Sequence, residues 1–287
     1  MVDEVNNEGG TAAGGNNLGG EHAGGEPKGS KRAGSEGAVG EGAPSGWIVL
    51  ALGNSFGQPI VLLHGFMQDE HSWDASAQAM ASSYYLSMPR MSAVSAETAT
   101  LDALVDGVYG VVQQAILHTG CSRVVLMGYS MGGRVALNYM RRYPETVSTL
   151  VLESAGIGPV DEADRERMRQ VNFSMAERIR QAASMDEVVD YWEQLPLFDS
   201  QAELPEEARE SLRKMRLARN PEELALLLEH AGAHHRPLAV CQEHLLKTGG
   251  SHLGAGFVHH ALPEHESRRG VIREVVHSLP FAGALSG

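Results

Sequence analysis

The sequence predicts an α/β fold, with a mostly parallel sheet, helices on both faces and a helical insertion, from three observations. Apolar, β-branched segments alternate with helical patterns between residues 47 and 156. One such segment runs into the tight turn Gly-Tyr-Ser-Met-Gly-Gly-Arg at 128–134, and a helical pattern follows at once. Between residues 157 and 230, helical patterns succeed one another without a strand. Alternating strands and helices are typical of a parallel sheet whose binding site lies at the carboxyl edge of the strands.

Residues 1–46 differ from the rest and are predicted to form a disordered, Gly-rich tail. They hold 14 of the 33 glycines and almost no large apolar side chains, so they cannot bury enough surface to offset the entropy lost on ordering. The acids Asp3 and Glu4, with no apolar stretch after them, argue against a signal peptide. Since no apolar run in the chain reaches transmembrane length, we expect a cytoplasmic protein that does not enter a membrane.

The composition narrows the classes of partner. A net charge of −13 argues against nucleic acid or an anionic membrane as a partner, whereas a local group of arginines can still bind a small anionic substrate. The two cysteines, Cys121 and Cys241, have no metal-type spacing and are predicted to be free thiols. Among the 13 histidines, His234-His235 and His259-His260 are adjacent pairs and not pairs at the helical i,i+4 spacing. We therefore predict no metal and no cofactor, and a monomer or weak homo-oligomer.

The core elements are predicted in order along the chain. Strands are predicted at 47–52, 60–63, 84–88, 124–127 and 149–153. A helix is predicted at 98–118, because apolar residues recur there at helical spacing. Those residues are Leu101, Leu104, Val105, Val108, Val111, Val112 and Ala115.

The turn at 128–134 has the form of a nucleophile elbow. Such a turn between strand and helix is so tight that side chains flanking the serine would collide with neighbouring backbone. Gly128 and Gly132 remove those side chains and leave Ser130 projecting from a strained turn. The free N–H groups at the start of the helix then favour developing negative charge. Ser130 is therefore the candidate catalytic residue.

A second segment, Pro-Ile-Val-Leu-Leu-His-Gly-Phe at 59–66, is an apolar strand that ends in His-Gly. In the α/β-hydrolase fold the loop after this strand supplies one N–H group of the oxyanion hole, and the residue after the nucleophile supplies the other. The predicted donors are the backbone N–H groups of Phe66 and Met131. His64 is interpreted as structural, holding the loop by hydrogen bonds.

The insertion is predicted to be a helical lid over the site. Its helices are predicted at 161–182, 185–193, 205–219 and 221–230. Beyond residue 231 the patterns weaken, with a short strand at Val240–Cys241 and a helix at 271–279. The predicted organisation is a tail at 1–46, an α/β core at 47–156, a lid at 157–230 and a divergent C-terminal part of the core at 231–287.

Five segments of the chain resemble a known family within the α/β-hydrolase fold. The resemblance rests on LLHGFMQDEHSW (62–73), VVLMGYSMGGRVAL (124–137), LVLESAGI (150–157), YWEQLPLF (191–198) and MRLARNPEELA (215–225). These segments resemble the 2-succinyl-6-hydroxy-2,4-cyclohexadiene-1-carboxylate synthases of menaquinone biosynthesis. The resemblance covers roughly residues 60–238.

The resemblance implies a lyase that uses a hydrolase triad as a base. Proton abstraction from a substrate with several carboxylates drives elimination of pyruvate, and no acyl-enzyme is required. Arginines suit such a substrate because a planar guanidinium binds a carboxylate through two parallel hydrogen bonds. Matched motif by motif, the implied substrate-binding residues are Tyr129, Arg134, Trp192 and Arg216.

The chain departs from the family pattern at three places. A lid arginine of the family falls on Met168, and Arg165, Arg167 or Arg169 are the candidates to replace it. The loop before the first long helix reads Ser-Met-Pro-Arg-Met-Ser at 87–92, in place of the family's Asp-Leu-Pro-Gly-His-Gly type.

The third departure is at the C-terminus, where the triad acid and histidine belong. No aspartate follows Asp199, so the acid is predicted to be a glutamate, Glu243. His259, His260 and His277 remain alternatives for the histidine. Because a serine hydroxyl is a poor base without a histidine, we expect weak catalysis or none. A serine ester or thioester hydrolase and a non-catalytic binding protein of the same fold remain alternatives.

Overall fold

The computed structural model describes residues 47–156 and 158–236, together with the backbone of residues 253–256. The predicted tail, the strand at Val240–Cys241 and the helix at 271–279 lie outside these residues. Within them, no helix is both long and apolar enough to cross a membrane.

The described strands form one mixed sheet of mainly parallel strands. They are Val49–Gly53 (β1), Gln58–Leu63 (β2), Tyr84–Pro89 (β3), Val124–Tyr129 (β4), Val147–Glu153 (β5) and Leu253–Gly256 (β6). Their order across the sheet is β1-β3-β2-β4-β5-β6. Only β1 runs antiparallel to its neighbour; the pairs β2–β3, β2–β4, β4–β5 and β5–β6 are parallel. The α/β fold with a mostly parallel sheet is therefore confirmed.

The helices follow the predicted pattern closely. They are Asp74–Met80 (α1), Leu101–Thr119 (α2), Met131–Arg142 (α3), Glu162–Gln181 (α4), Met185–Glu193 (α5), Glu206–Leu217 (α6) and Pro221–His230 (α7). The boundaries of α2 have local causes. The Thr100 hydroxyl accepts a hydrogen bond from the Ala103 N–H (3.2 Å), and Gly120 ends the helix at φ 71°. The four lid helices, α4–α7, begin and end within two residues of their predicted limits.

Two apolar clusters cover the two faces of the sheet. Alternate residues of β2 point to opposite faces: Val61 and Leu63 pack with the buried sides of α2 and α3, whereas Ile60 and Leu62 pack with Trp73 and α1. This alternation is expected for a strand in the middle of a parallel sheet that is buried on both sides. The central strands β2 and β4 are thus held rigidly, and their carboxyl ends lie side by side.

A third apolar cluster attaches the lid to the edge of the sheet. Met67, in the loop after β2, is buried against Ile179 of α4, Val188 and Val189 of α5 and Leu224 of α7. Because these residues come from three lid helices and one core loop, their packing holds the lid above the carboxyl ends of the central strands.

Among the elements that were not predicted from the sequence are one in the lid and one in the sheet. A 3-10 helix spans Pro196–Glu203 in the lid. Strand β6 consists of Leu-Gly-Ala-Gly, which has little strand propensity, and it pairs with β5 through backbone hydrogen bonds from Leu253 opposite Leu150 to Gly256 opposite Glu153. Its position depends on a partner about one hundred residues earlier, which a local pattern does not reveal.

Candidate active site

Ser130 occupies the strained turn that the sequence predicted. It lies between the last residue of β4 and the first residue of α3, with φ 51° and ψ −111°. Its N–H donates a hydrogen bond to the Glu153 carbonyl oxygen (2.9 Å), so the turn is fastened to the end of the neighbouring strand. A positive φ at a residue with a side chain is unfavourable, and the surrounding structure must enforce it.

Glycines make this turn sterically feasible. A Cβ atom at Gly128 would lie 2.5 Å from the Gly133 nitrogen, and one at Gly132 would lie 2.6 Å from the His64 carbonyl oxygen. Both distances are far below van der Waals contact. Helix α3 therefore starts directly against the ends of β4 and β2, as predicted for the elbow.

Two backbone N–H groups lie at this edge without an intramolecular acceptor in the described part of the chain. Met131 is the first residue of α3, so its N–H has no acceptor within the helix. The Phe66 N–H, in the loop after β2, likewise makes no hydrogen bond to the described residues. Because Leu63 of β2 is in register with Gly128 of β4, the two amides leave adjacent strand ends.

Backbone strain is concentrated around this edge. The non-glycine residues with positive φ in the described chain are Met67 (59°), Ser130 (51°) and Ser154 (49°). They follow β2, β4 and β5, which are neighbours in the sheet. Such strain is typical of functional sites, where the surrounding packing holds it in place.

His64 supports the Phe66 loop and is not placed to react. Its ring is buried; Nδ1 lies 2.8 Å from the Gly65 carbonyl oxygen, and Nε2 lies 3.0 Å from the Met91 N–H. The two contacts assign the proton to Nδ1, which donates to Gly65, while Nε2 accepts from Met91. Burial, and then the positive charge of Arg219, lower the pKa of His64 to about 3. The neutral ring thus joins the loops that follow β2 and β3.

The unusual loop at 87–92 is stabilised by an ionic network. Arg90 donates to both carboxylate oxygens of the buried Glu70, with distances of 2.5 and 2.7 Å. Nearby, Arg219 at the end of α6 pairs with Glu223 of α7 (3.0 Å), which also accepts a hydrogen bond from the Ala93 N–H (3.1 Å). The network therefore connects the loop after β2, the loop after β3 and the lid.

A cavity of about 1850 Å³ opens between the lid and Ser130. Its wall contains Phe66 and all four predicted substrate-binding residues, Tyr129, Arg134, Trp192 and Arg216. It exceeds the roughly 300–1,000 Å³ usual for small-molecule sites, so a ligand with several charged groups fits together with water.

Arg134 brings positive charge to this cavity. Its Nε atom is buried without a hydrogen-bond partner, and no carboxylate of the described residues pairs with it. Burial lowers its pKa to about 10, so it remains charged at neutral pH. Arg236 is also buried, and its pKa falls to about 9 because of burial and the charges of Arg134 and Arg141. Arg134 therefore lies near a second guanidinium group, which favours the binding of an anion beside Arg134.

Arg216 lies on α6, lines the cavity and is held in place by other residues of the lid. Its guanidinium donates to Glu193 (2.8 Å) and to the Gln201 side-chain oxygen (2.7 Å), and it stands over the Phe198 ring. Trp192 packs between Phe66 (5.2 Å between ring centres) and Phe198 (5.1 Å). It therefore lines the cavity and also joins the lid to the Phe66 loop.

The candidate replacements for the missing lid arginine do not line the cavity. Arg165 binds Glu162 and two backbone carbonyls, while Arg167 binds Asp164 and Arg169 binds Glu166. Arg178, further along the same helix, does line the cavity and stacks on the Tyr191 ring at 4.0 Å. Sequence reasoning missed this residue because helical spacing alone does not show which turn of α4 faces the cavity.

The other predicted triad residues, Glu243, His259, His260 and His277, lie outside the described residues, as does Cys241. Within the described part of the chain, His, Cys, Asp and Glu side chains form no cluster of three that could hold a metal ion.

Comparison with known proteins identifies the family. Residues 58–184 match the family of the alpha/beta hydrolase fold. The 2-succinyl-6-hydroxy-2,4-cyclohexadiene-1-carboxylate synthase of Klebsiella pneumoniae is 31% identical over 188 residues, which are 63% of this chain and 72% of that protein. The chain belongs to this synthase family. The Salmonella typhimurium synthase is also 31% identical, over 60% of this chain and 68% of its own length.

Solved structures agree on the fold of this synthase family member. The structure of MenH from S. aureus superposes with a TM-score of 0.64 and 24% identity, over 74% of this chain and 88% of that chain. A thermophilic esterase from Thermogutta terrifontis superposes with a TM-score of 0.56 and 21% identity, over 74% of each chain. At these identities the likeness establishes the α/β-hydrolase fold.

Substitution of the elbow glycine tests the packing at the turn. We expect Gly132→Ala to lower the free energy of unfolding by at least about 2 kcal/mol, because its methyl group overlaps the backbone at the end of β2. Gly156→Ala is the matched control, since nothing lies within 4 Å of a Cβ atom there. Thermal or denaturant unfolding measures both; equal stabilities of the two variants would contradict the close approach.

The buried neutral state of His64 predicts a pH effect on stability. The folded pKa of about 3 lies below the ordinary value of 6.5, so between these values the unfolded chain binds a proton that the folded chain does not. The His64 contribution to stability is therefore lost as the pH falls from 6.5 towards 3. We expect His64→Gln to be less stable than the wild type at pH 7, and the difference to shrink by pH 4. Denaturant unfolding of both proteins across this pH range tests the prediction. A difference in unfolding free energy that stays constant with pH would contradict the neutral state of His64.

Proposed function

We propose that this protein eliminates pyruvate from a carboxylate-rich cyclohexene to form 2-succinyl-6-hydroxy-2,4-cyclohexadiene-1-carboxylate, a step of menaquinone biosynthesis. The main support is the arrangement of one cavity. A strained serine, Phe66 and an arginine without an acidic partner in the described residues line it, and the Met131 N–H follows the serine directly. These groups suit a reaction in which negative charge develops on a bound anion.

In this proposal Ser130 removes a proton from the substrate ring while a histidine holds the hydroxyl proton. The resulting negative charge moves onto an oxygen that the Phe66 and Met131 N–H groups bind. Electrons from the broken C–H bond form the new double bond, and the C–O bond to the pyruvyl group breaks. A hydroxyl group needs the histidine because its own proton is not lost near neutral pH.

The arginines of the cavity wall support an anionic substrate. The product carries two carboxylates, and the departing pyruvate adds a third. Arg134, Arg216 and Arg178 supply three guanidinium groups to the cavity wall. Arg178 has no acidic partner among the described residues, and we infer that it serves instead of the family arginine that falls on Met168. We infer that each guanidinium binds one carboxylate.

The histidine of the proposal is His259 or His260, with His277 kept as an alternative, and Glu243 is the proposed acid. Parallel pairing of β6 with β5 brings Gly256 opposite Glu153, at the edge where Ser130 lies. His259 and His260 follow Gly256 by three and four residues in the sequence, which favours them over a residue twenty-one positions beyond the strand.

Pyruvate release from the family's substrate tests the function. We expect the wild type to release pyruvate and Ser130→Ala to lower kcat at least about a thousandfold, while the fold and product binding are kept. His259→Ala, His260→Ala, His277→Ala and Glu243→Gln, assayed in parallel, identify the remaining members. Absence of pyruvate release by the wild type, with hydrolysis of a simple ester instead, would replace the lyase by a hydrolase. Turnover well below the usual range of about 1–10³ per second would match the weak catalysis that the sequence predicts.

Carboxylate recognition by Arg216 is tested separately. We expect Arg216→Ala to raise KM for the substrate about tenfold or more, because a charge-assisted hydrogen bond to a carboxylate is lost. The matched control is Arg213→Ala, on the same helix; Arg213 pairs with Asp190 and Glu193 and does not line the cavity. Equal effects of both substitutions on KM and on stability would assign Arg216 to lid structure alone.

A further inference from the structure

We propose that Glu153 is the general acid of this reaction and protonates the departing pyruvyl oxygen. The inference rests on the proposed lyase function, to which it adds a catalytic residue. Glu153 is the last residue of β5, in register with Tyr129 and hydrogen bonded through its carbonyl oxygen to the Ser130 N–H. Its side chain lies in the wall of the same cavity as Ser130.

Unlike the other acids of the described cavity wall, Glu153 has a carboxyl group that accepts no hydrogen bond from the described residues. Glu229 binds Arg180, Glu187 accepts from the Ala183 N–H, and Glu177 accepts from Gln181. Within the described residues no cation or N–H group contacts the Glu153 carboxyl group. A half-buried carboxylate without a donor is costly, so the neutral acid is favoured.

Burial also raises the pKa of Glu153 above its ordinary value. On the elements packed against β5, the titratable groups of the described cavity wall are Tyr129 on β4 and Arg134 on α3, and Arg216 of α6 acts on Tyr129 from the lid. Burial and the negative charge of Glu153 raise the pKa of Tyr129, so the tyrosine keeps its proton near neutral pH and is a weaker acid than Glu153. A carboxylic acid whose neutral form is favoured in this way can donate its proton to a developing oxyanion.

The proton balance of the step closes without a co-reactant. Ser130 and its histidine gain the ring proton, the ring gains a double bond, and the C–O bond to the pyruvyl group breaks. The leaving oxygen takes the Glu153 proton, so the first product is enolpyruvate, which becomes pyruvate in solution. The histidine then loses a proton to water and the Glu153 carboxylate recovers one, which returns the enzyme to its starting state.

A general acid must be protonated to act, so kcat depends on whether Glu153 carries its proton. As the pH rises through the raised pKa of Glu153, the acid loses its proton and kcat falls. Glutamine can donate a hydrogen bond but not a proton. We therefore expect Glu153→Gln to lower kcat about a hundredfold or more and to abolish the decrease at high pH, with little change in product affinity.

The experiment measures pyruvate release from pH 5 to 9, and product binding by calorimetry, for the wild type and three variants. Glu177→Gln, an exposed acid of the same wall, is the matched control and should keep the wild-type profile. Glu153→Asp keeps an acid on a shorter side chain and should retain a decrease at high pH at lower kcat. If Glu153→Gln fails to fold, the pH profile of kcat for Glu153→Asp tests the proposal.

Each outcome has a distinct meaning. A Glu153→Gln enzyme with wild-type kcat and an unchanged pH profile overturns the general acid, as does a Glu153→Asp enzyme without the decrease. Loss of product binding together with kcat assigns Glu153 to the structure of the site and also overturns it. A wild type that releases no pyruvate and binds no product overturns the proposed function itself.

Discussion

Backbone packing at the Ser130 turn is the constraint on which the rest of the site depends. Helix α3 can begin against the ends of β2 and β4 only because Gly128 and Gly132 have no side chain. The same packing gives Ser130 its positive φ and brings the Met131 N–H beside the loop that carries the Phe66 N–H. Since β2 and β4 are buried on both faces, the strained turn cannot relax without disturbing the core.

The lid is joined to this rigid edge by two kinds of contact. The first is apolar: the lid packs around Met67, and Trp192 of the lid contacts the Phe66 ring. The ion pair between Arg90 and the buried Glu70, near Arg219, joins the loop after β2 to the loop after β3. A buried ion pair is weak evidence for stability, so we assign this pair a role in the arrangement of the loops. The position of the lid above Ser130 therefore depends on both groups of contacts.

Charge is distributed unevenly in an acidic chain. The net charge is −13, yet the described cavity wall contains Arg134 and Arg178 without acidic partners and Arg216 with its charge shared by Glu193. Several acids of the lid are paired with arginines of the lid itself, among them Glu166, Glu206 and Glu222. Local placement of guanidinium groups thus outweighs the overall charge at the site, because exposed charges are screened beyond about 8–10 Å.

The sequence alone determined the elbow, the order of the core elements and the four lid helices, because glycine spacing and apolar periodicity are local properties. It did not show that β6 pairs with β5, because Leu-Gly-Ala-Gly has no strand pattern and its partner is distant. Nor did it show that Arg90 binds Glu70, that Arg178 faces the cavity while Arg165, Arg167 and Arg169 do not, or that the Glu153 carboxyl group accepts no hydrogen bond from the described residues. Those features depend on which side chains from separate segments meet, and only the packing of the whole chain decides that.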